Sequence, residues 1–475
     1  MLRATVCECP AILEAETQFL SACPEYAATE PLEALRASDY PRLNEQDQIY
    51  LDYTGGGLYA DSQIRRHQEL LLSNVFGNPH SLNPSSSAMT ELVERCRWKV
   101  LAFFNAPQDE YAAIFTANAT GALKLVGEAY PFGPGGAFAL TFDNHNSVNG
   151  LREFARARGA FLSYVPLAAD DLRVDERELE RVLAARADGP RLFAYPAQSN
   201  FSGVQHPLEW VDRAHAAGWD VLLDAAAFVP ASRLDLAVCR PDFVSLSFYK
   251  MFGYPTGIGC LIARREALAK LHRPWFAGGT ITVASVTGDR FFLAEAPAAF
   301  EDGTPDYLGI PAVEIGLEHL EHAGIDSIRA RGRCLTVWLL ERLLALRHAN
   351  GAPVAVVYGP KTMENRGATI AFNFVDAAGG VVDHRRVEGA ASRHRISLRA
   401  GCFCNPGAGE TALHITGDQL RSCFSGIGDA GPFTLDDLRR CVSGSTGAVR
   451  VSLGIASNFA DVFRFMEFAQ EFVEG

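Results

Sequence analysis

The sequence predicts an α/β protein: a large domain on a mostly parallel sheet covered by helices on both faces, then a smaller α+β domain. Three observations predict it. Between about residues 110 and 262, short apolar runs alternate with amphipathic stretches at the spacing of βαβ units. Polar residues recur where the apolar runs end, which is where ligands of such sheets gather. Beyond about residue 310 the alternation gives way to two long helical stretches and a few strands, the pattern of a second body.

A chain of 475 residues is too long for one ordinary core, so two domains are expected. With 48% hydrophobic and 21% charged residues and no low-complexity tract, it has the composition of a soluble globular protein. A net charge of -13 argues against nucleic acid or an anionic membrane as partner. No apolar run reaches membrane-spanning length, and MLRATVCECPAILEAETQFL carries acids where a signal peptide needs an apolar segment. The expected location is the cytoplasm. Eleven cysteines, an odd number without the spacing of a disulfide framework, fit a reducing compartment. Two C-x-C pairs, Cys7/Cys9 and Cys402/Cys404, each lack the second ligand pair of a structural zinc site, so no metal is expected.

Residues 1–45 read as a lead-in, 46–310 as the large domain and 311–475 as the small one. IYLDYTGGGLYA (Ile49 to Ala60) is a short strand breaking into a glycine turn. NPHSLNPSSSAMT reads as a loop, with Thr90 capping a helix through ELVERCRWKVLAFF. YAAIFTA, AFALTF, FLSYV, LFAYPA and DVLLDAAAF follow as strands. Between them lie the helices GALKLVGEAY, opened by Thr120-Gly121, then SVNGLREFARARG, ERELERVLAAR begun by Asp175, and PLEWVDRAHAAG. At the strand ends stand Asn118 and Thr120, Asp143 and His145, Gln198 and Asn200, Asp224, Ser247 and Lys250, which implies one shared pocket. In the small domain PVAVVYG, GATIAFNFVD and AVRVSLGI read as strands and VVDHRRVEGAASRH as a helix. The stretch from about Glu410 to Thr446 reads as a polar, glycine-rich interval.

Lys250 sits between Tyr249 and Met251-Phe252, just after an apolar run. Such surroundings desolvate the amine, lower its pKa and favour Schiff-base chemistry. Asp224 ends the preceding apolar strand. A carboxylate there with a reactive lysine suits pyridoxal 5'-phosphate, whose ring nitrogen the acid keeps protonated. Thr120-Gly121 at a helix start and the Ser247 hydroxyl can hold the phosphate, and His145 can lie on the ring.

Five ordered segments carry a resemblance: YPAQSNFSG, LDAAAFV, SFYKMFGYPTGIGCLI, FEDGTPDYLGI and GCFCNPGAG. Together they resemble the class V aminotransferase and cysteine desulfurase group, a fold type I family of pyridoxal-phosphate enzymes. The Phe-Tyr before the lysine is most similar to the desulfurase-like domain of molybdenum cofactor sulfurases. The resemblance implies that Lys250 carries the cofactor and that Asp224 meets the pyridine nitrogen. It places His145 on the ring and Asn200 at the ring oxygen or substrate carboxylate, with Thr120, Gly121, Ser247 and Tyr249 around the phosphate. It also implies a homodimer, Thr304 reaching the phosphate of the neighbouring subunit, with Arg450 clamping the amino-acid carboxylate. Cys404 aligns with the cysteine that takes sulfur from L-cysteine as a persulfide, on a loop that glycines should leave mobile; Cys402 falls where cysteine is not required. Two departures are Ala227, where many desulfurases have glutamine, and Gly409, where many cofactor sulfurases have cysteine. The sequence ends at Gly475 without a region like the cofactor-binding part of the longer relatives. The sulfur acceptor is therefore expected to be molybdenum cofactor or another thiolated metabolite or protein. Competing expectations are a lyase, an aminotransferase or an epimerase of the same group, or a non-catalytic pyridoxal-binding sulfur carrier.

Overall fold

The computed structural model describes residues 10–79, 81–425, 433–442 and 444–473. After β1 (Ile49–Tyr50) comes a seven-stranded sheet. It comprises β2 (Tyr111–Thr116), β3 (Ala137–Thr141), β4 (Phe161–Val165), β5 (Arg191–Pro196), β6 (Asp220–Asp224), β7 (Phe243–Ser247) and β8 (Gly259–Arg264). Their spatial order is β2-β8-β7-β6-β5-β3-β4, with β8 antiparallel to both neighbours and the other pairs parallel. The sheet is mostly parallel, as expected.

Alternate residues of each strand feed two cores. From β5, Phe193 and Tyr195 join the core shared with helices Pro84–Phe103 and Pro311–Ala323. Leu192 and Ala194 point the other way, to the core under helix Ala119–Ala129. All four are fully buried, and each large side chain so placed contributes about 1.5–3 kcal/mol. The C-terminal ends of β3, β5, β6 and β7 lie along one edge. Pro196 pairs with Asp224 there, and Ser247 with Gly259 at the start of β8.

β9 (Ile281–Ser285) and β10 (Arg290–Leu293) form a separate hairpin. Beyond it come β11 (Ala355–Tyr358), β12 (Thr369–Phe374), β13 (Ile396–Ser397), β14 (Arg399–Gly401) and β15 (Ala448–Ser452). β13 pairs with β1, and the other four make an antiparallel sheet in the order β11-β12-β15-β14. The N-terminal segment packs on this second body: Phe19 and Tyr26 share a core with Trp338, Phe459 and Phe465. Arg36 donates to both carboxylate oxygens of Asp461 on the last helix, at 2.5 and 3.0 Å. Burial pushes the Asp461 carboxyl upward in pKa, while the charge of Asp461 raises Arg36 against its own burial.

Three local expectations are corrected. The helix placed after Thr90 begins at Pro84, capped by Asn83, whose side chain accepts from the Ser86 amide. Proline and serine favour a loop here by propensity, but Ser86 and Met89 are buried and tertiary packing overrides that weak preference. Thr90 lies inside the helix, its hydroxyl donating to Ser86 O. The stretch from Ser147 is two short helices, Asn146–Asn149 and Arg152–Ala157. The polar interval contains helices Gly417–Ser425 and Leu435–Cys441, joined by a disulfide between Cys423 and Cys441 with Cα atoms 5.6 Å apart. The absence of a framework spacing did not exclude a single bridge. Cys7 and Cys9 lie outside the described residues. Among the described residues no helix is long and apolar enough to cross a membrane.

Candidate active site

The sheet edge opens into a cavity of about 420 Å³. Thr120, His145, Asn200, Asp224, Ser247, Tyr249 and Lys250 line it together, so most of the expected site residues converge. Register explains this: Asp224, Ser247 and Pro196 end adjacent parallel strands, and Lys250 follows within one turn on helix Phe248–Phe252. Gly253 closes that turn at φ 80°, and a Cβ there would lie 2.2 Å from Tyr59 N. Only glycine permits this approach of the lysine helix to the 58–59 backbone.

Burial holds the Lys250 amine below its ordinary pKa, while the Asp224 carboxylate opposes the shift. Asp224 is itself pinned through one oxygen, Oδ1, which accepts from the Ala226 amide at 3.1 Å and the Ser245 hydroxyl at 2.9 Å. Its Oδ2 takes no hydrogen bond from the described residues. His145 Nδ1 accepts from the Ser147 amide at 3.1 Å, which assigns the ring proton of the neutral imidazole to Nε2. Burial, then the charge of Lys250, lowers the His145 pKa and keeps the ring neutral. Ser147 also meets the Thr120 hydroxyl at 2.8 Å, linking two site residues through a third that the sequence reading did not single out.

The helix Ala119–Ala129 points its N-terminus at the cavity, with Ala119 and Thr120 on its lining. Asn118 caps it and takes the Gly121 amide at 2.9 Å. Gly121 therefore does not offer its N–H to a ligand and lines the neighbouring cleft with Thr304. The amides of Ala119 and Thr120 have no intrahelical acceptor and are the free donors.

Cys404 and Arg450 lie beside the cavity rather than on its lining. Cys404 is exposed, at φ 55°. Its loop is tethered: the Asn146 amide donates to Cys404 O at 2.7 Å, and Asn200 Nδ2 donates to Phe403 O at 2.7 Å. Asn405, fully buried, donates to Asp143 O at 2.6 Å and to Asn200 Oδ1 at 2.9 Å. Access was expected and is present; freedom of the backbone is not. Asn405→Ala should lower stability by about 1–3 kcal/mol, because Asp143 O, Asn200 Oδ1 and the Ala408 amide, which donates to Asn405 Oδ1 at 3.2 Å, lose their partner inside the protein. Urea denaturation followed by circular dichroism checks this.

The guanidinium of Arg450 is held by Asp52 Oδ1 at 3.0 Å and Asn200 O at 2.9 Å, and lies 4.7 Å from the Phe403 ring centre. Each terminal nitrogen thus spends one N–H on the protein and keeps a second, and Nε has no partner among the described residues, so donors remain for a substrate carboxylate. Asp52, on the turn before the three glycines, was missed; only its position beside that turn could have signalled it. Cys23, Glu25 and Cys334 bring their ligand atoms within 4.8 Å of one another. Their separation in sequence hid this group.

The sequence profile of aminotransferase class-V matches residues 49–465. The chain belongs to the class-V aminotransferase family. Its similarity to class-V members named molybdenum cofactor sulfurase reaches 39% identity for the Bos taurus protein, over 92% of this chain and 51% of that one. The Arabidopsis thaliana protein of the same name is 36% identical over 92% of this chain and 57% of its own length. The chain spans about half the length of such relatives. Among solved structures, a cysteine desulfurase from Thermococcus onnurineus superposes with a TM-score of 0.77 at 24% identity, covering 93% of this chain and 98% of that one. One from Escherichia coli gives 0.73 at 22%, covering 93% and 98%. At these identities the likeness shows the fold, that of the type I pyridoxal-phosphate enzymes.

Proposed function

We propose that the chain binds pyridoxal 5'-phosphate and acts as a cysteine desulfurase, converting L-cysteine to L-alanine and taking the sulfur on Cys404. One observation carries the reading: the Cys404 main chain is bonded to Asn146, next to His145, at the rim of the cavity that holds Lys250 and Asp224. The residues present fit the cofactor. Among the described residues Asp224 Oδ2 is free to accept from a ring N–H, the Ser247 hydroxyl and the Ala119 and Thr120 amides are free for a phosphate, and the neutral His145 ring faces the same space. Bound there, the cofactor would supply an electron sink for a carbanion.

The chain's own groups do the rest. Lys250, whose amine burial holds below its ordinary pKa, moves the proton at the substrate α-carbon. Asp224 holds the ring nitrogen protonated. Arg450 and Asn200 orient the substrate carboxylate, and the Cys404 thiolate attacks the substrate sulfur. A carbon–sulfur bond breaks, a sulfur–sulfur bond forms, and Lys250 returns a proton to the alanine that leaves.

The homodimer reading has support of its own. Val283, Phe291 and Phe292 of the hairpin, with Trp275 and Phe276 before it, are exposed apolar residues in one region. The Gly303 amide donates to Gly278 O at 2.8 Å, so Thr304 stands at the base of that region and outside its own chain's cavity. A second copy covering the hairpin would place Thr304 toward the partner's phosphate. The acceptor is a thiol-bearing protein or a small molecule such as molybdenum cofactor. Incubation with L-cysteine under reductant should yield alanine and sulfide in equal amounts; pyruvate and ammonia instead would make the protein a lyase.

A further inference from the structure

A second cavity, of about 140 Å³, lies on the other side of Lys250, against helix Ile325–Ala345 and the segments 363–369 and 453–455. It shares Gln198, Ala227 and Lys250 with the first. Its charge is one-sided. Lys250, Arg329, Arg333 and Arg366 line it and no aspartate or glutamate among the described residues does, in a chain with 56 acids against 43 lysines and arginines. Such a concentration of like charge runs against the average of the molecule and calls for a local cause.

Arg366 is the centre of the argument. It is 4% exposed, and no carboxylate among the described residues pairs with it. Its terminal nitrogens donate to Pro360 O and Thr369 O, and its Nε has no partner. Two carbonyls satisfy hydrogen bonds but bring no net charge, and an unpaired buried cation is strongly unfavourable. Burial, aided by Arg173, pulls the guanidinium down to about 9. Arg333 is already taken by Glu25 at 2.6 Å, whereas Arg329 is exposed without an ion pair among the described residues. Around them the lining is uncharged: Ser232, Asn365 and the hydrogen-bonded hydroxyls of Thr54 and Thr369 on the polar part, Met251, Ile328, Leu453 and Ile455 on the apolar part.

We infer that this second cavity is a binding site for a small molecule carrying an oxyanion group, phosphate or carboxylate, which pairs with Arg366 and Arg329. Guanidinium groups favour such ligands because their fork matches two oxygens at once. A bound anion also acts on the first cavity by sign: beside Lys250 it favours the protonated amine. The site therefore couples an anionic metabolite to the reactive lysine without sharing the first cavity's phosphate donors.

The test uses protein loaded with pyridoxal 5'-phosphate, so that the donors near Thr120 are occupied. Thermal unfolding is followed against inorganic phosphate and, separately, acetate, with sodium chloride holding ionic strength constant. A saturable rise in Tm with either anion is expected, the stronger of the two identifying the group. Arg329→Gln should weaken apparent affinity about tenfold, and Arg366→Met should abolish the rise. Ser232→Asp, which sets a carboxylate of the protein's own in the cavity, should abolish it too and serves if Arg366→Met does not fold. No saturable rise with either anion overturns the inference. So does an equal rise in wild type and Ser232→Asp, which would place the anion elsewhere, the first cavity included; that result leaves the desulfurase reading untouched.

Discussion

Lys250→Ala is expected to lose the visible absorbance of covalently held pyridoxal 5'-phosphate and to lower alanine formation by at least about 10⁴-fold. The size follows from the lysine's two tasks, attachment and proton transfer, for which the described cavity lining offers no second amine. The variant should still fold. Burial lowers the Lys250 pKa from its ordinary 10.5, so the unfolded chain binds more protons than the folded one. The group's contribution to stability therefore rises as pH climbs toward 10.5, and at neutral pH it is a cost. Removing the amine takes that cost away, and a melting temperature at or above wild type is expected near pH 7. An inactive variant that also unfolds would locate the defect in packing instead of chemistry. The same lowered pKa predicts that the acid limb of the rate profile lies below the pH at which an ordinary lysine would lose its proton.

The parts of the site that could be read from sequence are those set by local order. Asp224, Ser247 and Lys250 follow apolar runs directly, so the strand pattern alone carries them to one edge. Contacts set by tertiary folding were not legible. Asn405 bonds Asp143 and Asn200, which lie 262 and 205 residues away, and Asp52 bonds Arg450 across 398. The glycine turn beside Asp52 marks the place but not the partner, because a buried ion pair is a property of the assembled cores. The sequence reading gave Arg366 no role; it is buried just before β12, an inner strand of the four-stranded sheet. Gly121 shows the opposite case. It was assigned to the phosphate with Thr120 because the two open a helix, but the cap is Asn118, and capping consumes the glycine's amide.

Cys404→Ala is expected to reduce alanine formation at least about 100-fold and to leave no protein species heavier by one sulfur atom, as read by mass spectrometry after a single turnover with L-cysteine. Cys402→Ala should keep both signals. The two thiols are both exposed and two residues apart, so exposure does not separate them; the backbone does. Cys404 is bracketed by hydrogen bonds from Asn200 to the carbonyl before it and from Asn146 to its own, and both donors follow strands of the seven-stranded sheet. The charge on Cys404 is also among those felt by Lys250, with a sign that favours the protonated amine. A negative charge so placed raises the share of Lys250 that carries a proton, the form that can return it to alanine, and its loss should lower that share. Alanine formed at the wild-type rate by Cys404→Ala would sink the persulfide reading. A slow variant that releases pyruvate would show that the lysine and the acid can run elimination alone, and that the tethered cysteine is what turns the reaction toward desulfuration.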